Sequence, residues 1–103
     1  MKFETLQVHG GQSADAQTGT VTVPLHLTTA YQFKDSAHGA RLFELKEFGN
    51  IYTRLQNPTT DVFEQRMALL EGGVGALATA SGQAAASIVI NTLCRQGENF
   101  VSS

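Results

Sequence analysis

The residues Ala78-Thr79-Ala80-Ser81-Gly82-Gln83-Ala84-Ala85 set a hydroxyl, a glycine and a carboxamide where a short apolar run gives way to a helical pattern. N–H groups in a first helical turn have no carbonyl partner inside the helix, and the positive end of the helix dipole lies behind them. A glycine at that point lets an anion come close to the backbone, so the junction is a candidate phosphate cradle. The same residues also read as a helix capped by Ser81 and holding no ligand. A second constellation is Ile51-Tyr52-Thr53-Arg54, followed by Asn57-Pro58. In an extended segment Tyr52 and Arg54 project to one side and offer a phenol and a planar cationic fork, a pair suited to two-point recognition of phosphate or carboxylate. The alternative is a surface ion pair for Arg54 and a tyrosine half-buried against the following helix.

Other chemistries lack their residues. Gly73-Val74-Gly75-Ala76-Leu77-Ala78 has the spacing of a dinucleotide fingerprint, but it follows a helix and precedes a strand, the reverse of the context that fingerprint needs. His9, His26 and His38 have no paired spacing with the lone Cys94, so no zinc set is legible. Ser81 is not an esterase nucleophile elbow, because Thr79 stands where a glycine is required. With 7 Lys+Arg against 9 Asp+Glu and no basic stripe, nucleic acid is not an expected partner. The longest apolar stretch, Ala84 to Ile90, is too short to span a bilayer, and Met1 to Gly10 contain no signal-peptide core, so a cytoplasmic location is expected and no membrane partner. Cys94 ends an apolar run and reads as a buried core thiol.

The elements that must position these groups fall into two unlike halves, with the boundary near Asn57. In residues 1–56 no long periodic helix is evident. Val21, Val23, Leu25 and Leu27 alternate with Thr22, Pro24, His26 and Thr28, which predicts an extended segment with one sticky face, and Pro24 bars it from the centre of a sheet. Ser36 is expected to cap a short helix carrying Leu42, Phe43 and Leu45, with a turn at Gly49-Asn50. Residues 57–103 read as regular α/β structure. Asn57 caps and Pro58 opens a helix over 58–71, Phe63, Met67 and Leu70 form its stripe, and Gly72-Gly73 stop it. Gly75 to Ala80 reads as a buried strand, Gln83 to Arg95 as a helix closed by Gly97, and Phe100-Val101 as the start of another strand. Together these make one right-handed crossover unit of a parallel sheet. One unit cannot cover both faces of such a sheet, so the fold is expected to be incomplete.

Taken in order, Thr5 to Gly11, Pro24 to Phe33, Tyr52-Thr53-Arg54, Asn57-Pro58-Thr59, Leu70-Glu71-Gly72-Gly73, Ser81-Gly82-Gln83-Ala84-Ala85 and Gly97 to Ser103 resemble the amino-terminal part of the Cys/Met-metabolism family of fold-type-I pyridoxal-phosphate (PLP) enzymes. Gln83 and the run Asp35 to Arg41 resemble the O-acetylhomoserine sulfhydrylase branch. The resemblance implies an α/β fold in which residues 1–56 are an extended arm lying on a partner subunit and residues 57–103 begin the PLP-binding large domain. It implies that Gly82 and Gln83 hold the PLP phosphate, and that Tyr52 and Arg54 reach the phosphate bound by a neighbouring subunit of a homo-oligomer, a dimer of dimers. The implied reaction replaces the acetyl-oxy group of O-acetylhomoserine with sulfide or methanethiol. The family's cofactor-bearing lysine, pyridine-contacting aspartate and stacking aromatic lie beyond this stretch, and Lys2, Lys34 and Lys46 do not match that lysine. The expectation is therefore an amino-terminal fragment, inactive alone. Alternatives are a non-catalytic fragment that pairs with full-length subunits, a piece of a related cystathionine synthase or methionine lyase, and an independent phosphate-binding module.

Overall fold

The computed structural model describes residues 1–103, with four helices: α1 (Phe3–His9), α2 (Ser36–Phe43), α3 (Pro58–Glu71) and α4 (Gly82–Leu93). Helix α3 has the predicted bounds and the predicted ends. The Asn57 side chain accepts from the Thr59 N–H at 2.9 Å, and Pro58 fills the first turn, where its missing donor costs nothing. At the other end Gly72 takes φ 66° and the Gly73 N–H donates to the Ala68 carbonyl at 2.8 Å, a left-handed stop that satisfies the last turn.

Helix α1 is not legible in the sequence. It has seven residues, no side-chain cap at Lys2 and no buried residue, and a helix of that length is not stable by itself. It exists by docking on α3. Arg66 of α3 donates through Nε to the Gly10 carbonyl at 2.8 Å and through Nη2 to Gln12 Oε1 at 2.6 Å. Gly11, at φ +72°, lies so close to α3 that a Cβ there would meet the Arg66 nitrogen at 2.8 Å. The glycine pair thus serves a close crossing of backbones.

Helix α2 departs from expectation at both ends. Its cap is Asp35, whose side chain accepts from the His38 N–H at 2.6 Å; Ser36 is the first helical residue. Leu45, expected on the helix, instead takes φ 56° and is 85% exposed, and the Lys46 N–H donates back to the Arg41 carbonyl. A leucine occupies the left-handed stop that glycine usually fills, and the turn falls there instead of at Gly49-Asn50. Gly49 serves packing: a Cβ on it would lie 2.9 Å from Leu42 Cδ2. Leu42, 2% exposed, is the one buried large apolar side chain, a burial worth about 2 kcal/mol. Phe33 packs edge-on against His38 and Phe43 beside it.

The predicted strands at 75–80 and 100–101 do not form. The one pairing in the chain is an antiparallel bridge between Ala30 and Tyr52. A strand is defined by a neighbour that takes its N–H and C=O groups, and neither segment has one here. Residues 75–80 run between α3 and α4 with a single tether, the Ala78 N–H to Glu64 Oε1 at 2.8 Å, and Val101 is 99% exposed. Helix α4 ends at Leu93, two residues earlier than predicted, with Cys94 as its C-cap and no buried residue. Cys94 is half-buried, not a core thiol, and Gly97 adopts its positive φ in a separate turn. The 21–27 segment is extended but unpaired, and Leu27 is 92% exposed.

The radius of gyration is 17.1 Å, against about 13 Å for a packed domain of this length. So much uncovered apolar surface predicts that the 103-residue chain binds ANS and self-associates; a monodisperse, dye-silent monomer with one sharp melting transition in sedimentation and calorimetry would contradict this. A second expectation concerns the clasp after α2. Arg41 Nε donates to Glu47 at 2.8 Å and holds the Glu47 carboxyl below its ordinary range. A carboxylate depressed in the folded state stabilises above its unfolded pKa and loses that contribution as pH falls through the lowered value. Glu47 is therefore expected to protonate below the ordinary glutamate range in a side-chain carbon NMR titration, and Arg41→Ala to return it toward that range; an unchanged Glu47 midpoint in Arg41→Ala would contradict the clasp.

Candidate functional site

Helix α4 begins as the sequence requires. Ser81 is its N-cap, and its Oγ accepts from the Ala84 N–H at 3.1 Å, while the Ala85 N–H donates to the Ser81 carbonyl. Those two bonds leave the N–H groups of Gly82 and Gln83 without an acceptor in the chain. A Cβ built on Gly82 meets no heavy atom within 4 Å, so no part of the chain crowds Gly82 at the start of the helix. The junction has the form of an anion cradle: outward N–H groups, a helix dipole and no obstructing side chain.

The Tyr52–Arg54 pair is assembled by other means. Tyr52 forms the bridge to Ala30, the Tyr31 N–H donates to the Ile51 carbonyl at 3.2 Å and the Thr53 N–H to the Thr29 carbonyl at 2.8 Å. The expected extended segment does not continue past Tyr52: residues 53–55 turn, with the Leu55 and Gln56 N–H groups both donating to the Tyr52 carbonyl at 2.9 and 3.0 Å, and it is this turn, not strand alternation, that brings Arg54 back beside Tyr52. The Arg54 guanidinium carbon sits 5.4 Å from the centre of the Tyr52 ring, a cation–π contact that pre-aims the fork. Arg54 takes part in none of the chain's three ion pairs, so its charge is available for an external anion. The surface ion pair considered for Arg54 does not form. Tyr52 is half-buried, within an apolar recess shared with Tyr31, Phe33, Phe43, Ile51 and Leu55.

No hydrogen bond joins this pair to Gly82 or Gln83, so the chain presents two separate candidate anion-contacting elements. The donor sets fit a phosphate-bearing cofactor: two backbone N–H groups at an uncrowded glycine, and a guanidinium with a phenol beside it. Sequence reasoning saw Asn57 only as a cap. Its carboxamide also donates to the His26 carbonyl at 2.9 Å and to Thr53 Oγ1 at 3.1 Å, and Thr59 Oγ1 donates to the Pro24 carbonyl at 2.8 Å. Glu64, which tethers Ala78 ahead of the cradle, was likewise not anticipated. No periodicity signals bonds between residues 14 to 35 positions apart in sequence.

Comparison with known proteins agrees with the motif order. A family model described as Cys/Met metabolism PLP-dependent enzyme matches residues 4–103. The sulfhydrylase FUB7 of Fusarium oxysporum is 59% identical over 101 residues, which are 98% of this chain and 23% of that protein. The O-acetyl-L-homoserine sulfhydrylase of Leptospira meyeri is 58% identical over 102 residues, 99% of this chain and 23% of that protein. Among solved structures, a Campylobacter jejuni protein carrying N'-pyridoxyl-lysine-5'-monophosphate superposes with a TM-score of 0.87 at 42% identity, over 95% of this chain and 24% of that one. Cystathionine gamma synthase from Xanthomonas oryzae superposes with a TM-score of 0.80 at 30% identity, over 95% and 23%. The α/β class of these fold-type-I neighbours agrees with the coarse expectation, although the strands are not formed in this chain. The chain spans about 23% of the length of the curated relatives it matches. With the family model aligned over all but the first three residues, the chain belongs to the Cys/Met metabolism family of PLP-dependent enzymes.

Proposed function

We propose that this chain supplies the arm and the phosphate-gripping elements of a PLP-dependent O-acetylhomoserine sulfhydrylase, an enzyme that replaces the acetyl-oxy group with sulfide or methanethiol. The observation that carries the reading is the pairing of two unused backbone donors at Gly82 and Gln83 with an unpaired Arg54 aimed by Tyr52. Gly82 and Gln83 hold the cofactor phosphate on one subunit, and Tyr52 and Arg54 reach the phosphate held by its neighbour in a homo-oligomer built as a dimer of dimers. Bound there, PLP supplies an electron sink for the substrate's carbon framework. The residues of this chain contribute binding and orientation: two N–H donors and a dipole on one side of the phosphate, a guanidinium fork and a phenol on the other.

No residue of this chain is assigned a chemical step. Lys46 is engaged with Glu44 at 2.6 Å, and neither it, Lys2 nor Lys34 occupies a position matching the family's cofactor lysine. The reading therefore makes the chain inactive by itself and active within a longer polypeptide that carries that lysine. Residues 1–56 serve as the arm and 57–103 as the opening of the PLP-binding domain. The arm is also tied to its own chain, since Arg66 holds Gly10 and Gln12, and Thr59 holds Pro24. No helix is long and apolar enough to cross a membrane, and we place the enzyme in the cytoplasm. The exposed Leu25 and Leu27 favour a second role for the chain alone, pairing with full-length subunits.

The sulfhydrylase polypeptide carrying this sequence is expected to release acetate from O-acetylhomoserine in the presence of sulfide, and the 103-residue chain is not. Absence of sulfide-dependent turnover in the longer polypeptide removes the proposal. Gly82→Val is expected to weaken PLP binding by at least about tenfold, while the fold is kept, because the added side chain enters open space at the helix start. Unchanged affinity in an apoenzyme titration would show that no phosphate lies over Gly82.

A further inference from the structure

Asn57 is the one buried polar side chain of the molecule, 4% exposed, and it is used at both ends. Its Oδ1 caps α3 by accepting from the Thr59 N–H. Its Nδ2 donates to the His26 carbonyl at 2.9 Å and to Thr53 Oγ1 at 3.1 Å. Thr53 stands between Tyr52 and Arg54, and its hydroxyl donates onward to the Thr28 carbonyl. Capping requires only an acceptor, which aspartate or serine supplies equally well. The donor end is surplus to capping: one donation goes to the 24–28 segment at the His26 carbonyl, and the other to the hydroxyl of Thr53, between Tyr52 and Arg54.

We propose that Asn57 is a positioning residue for cofactor phosphate recognition: through Thr53 it sets the backbone from which Tyr52 and Arg54 reach the anion. The inference rests on the reading that Tyr52 and Arg54 contact the PLP phosphate, and it assigns to Asn57 and Thr53 the geometry of that contact. Residues 51–54 are tied to residues 28–31 by backbone bonds and the Thr53 hydroxyl, and to the chain ahead by a turn in which the Leu55 and Gln56 N–H groups both donate to the Tyr52 carbonyl. The Asn57 amide adds a bond to Thr53 from the start of α3. A two-point grip on phosphate is sensitive to the setting of that turn, because guanidinium and phenol must arrive together. An aspartate at 57 keeps the cap, removes both donations and sets a carboxylate against the His26 carbonyl oxygen.

The test uses the sulfhydrylase polypeptide carrying this sequence, stripped of cofactor and titrated separately with PLP and with pyridoxal, which lacks the phosphate. Asn57→Asp and Thr53→Val are expected to weaken PLP binding about tenfold and leave pyridoxal binding unchanged, as for the loss of one or two well-placed hydrogen bonds. Thr53→Ser, which keeps the hydroxyl, is expected to bind PLP as the parent does, and it preserves the test if Asn57→Asp does not fold. Equal weakening toward PLP and pyridoxal would mean a general structural role and overturn the inference. So would full PLP affinity in Thr53→Val alongside a loss in Arg54→Ala, an outcome that leaves the phosphate reading intact. If Arg54→Ala itself binds PLP normally, the reading and the inference fall together.

Discussion

The start of α3 is the constraint on which the rest of the molecule depends. Asn57, Thr59 and Pro58 convert one helix N-terminus into a junction where the 24–28 segment, the 51–54 segment and the helix meet. Few apolar side chains are buried anywhere, so directional polar bonds supply what a hydrophobic core usually does. Such bonds are individually modest, about 1 kcal/mol net each, but they are specific in direction, and that suits the aiming of a charged side chain. Farther along the same helix, Arg66 anchors the Gly10-Gly11-Gln12 turn and with it α1. Helix α3 is thus the spine to which the 10–12 turn and the 24–28 segment attach.

The uncovered surface is the counterpart of this arrangement. Helix α4 has apolar residues on nearly every side and no buried one, and Leu77, Val74 and Val101 face solvent. In a parallel sheet each strand needs neighbours and both faces need helices. The chain spans about a quarter of its relatives' length, and the segments flanking α4 form no ladder. The helices still superpose on solved family structures, because their ends are set locally by Asn57, Gly72 and Ser81. Strands have no comparable local determinant.

The cofactor elements follow the same division. The cradle at Gly82 and Gln83 is local: a cap, a glycine and a helix dipole suffice, and the sequence motif names it. The Tyr52–Arg54 pair is half local, since a turn closed on the Tyr52 carbonyl brings the two side chains together, but the turn is placed by Thr28, Thr29 and Asn57. No hydrogen bond links the two elements within the chain.

The bounds of α3, the cap at Ser81, the candidate anion-contacting residue types at 52, 54, 82 and 83, and membership in a PLP family through the order of its motifs are legible in the sequence. These rest on contacts within a few residues, which spacing encodes. Only the tertiary structure decided that Phe3–His9 is a helix, that Asp35 displaces Ser36 as a cap, that Leu45 turns left-handed, and that Asn57 donates as well as accepts. Each of these depends on a partner distant in the chain or on competition between adjacent candidates, and periodicity carries no information about either. The predicted strands fail for the same reason: strand identity is a property of the pair, and neither segment pairs with another here.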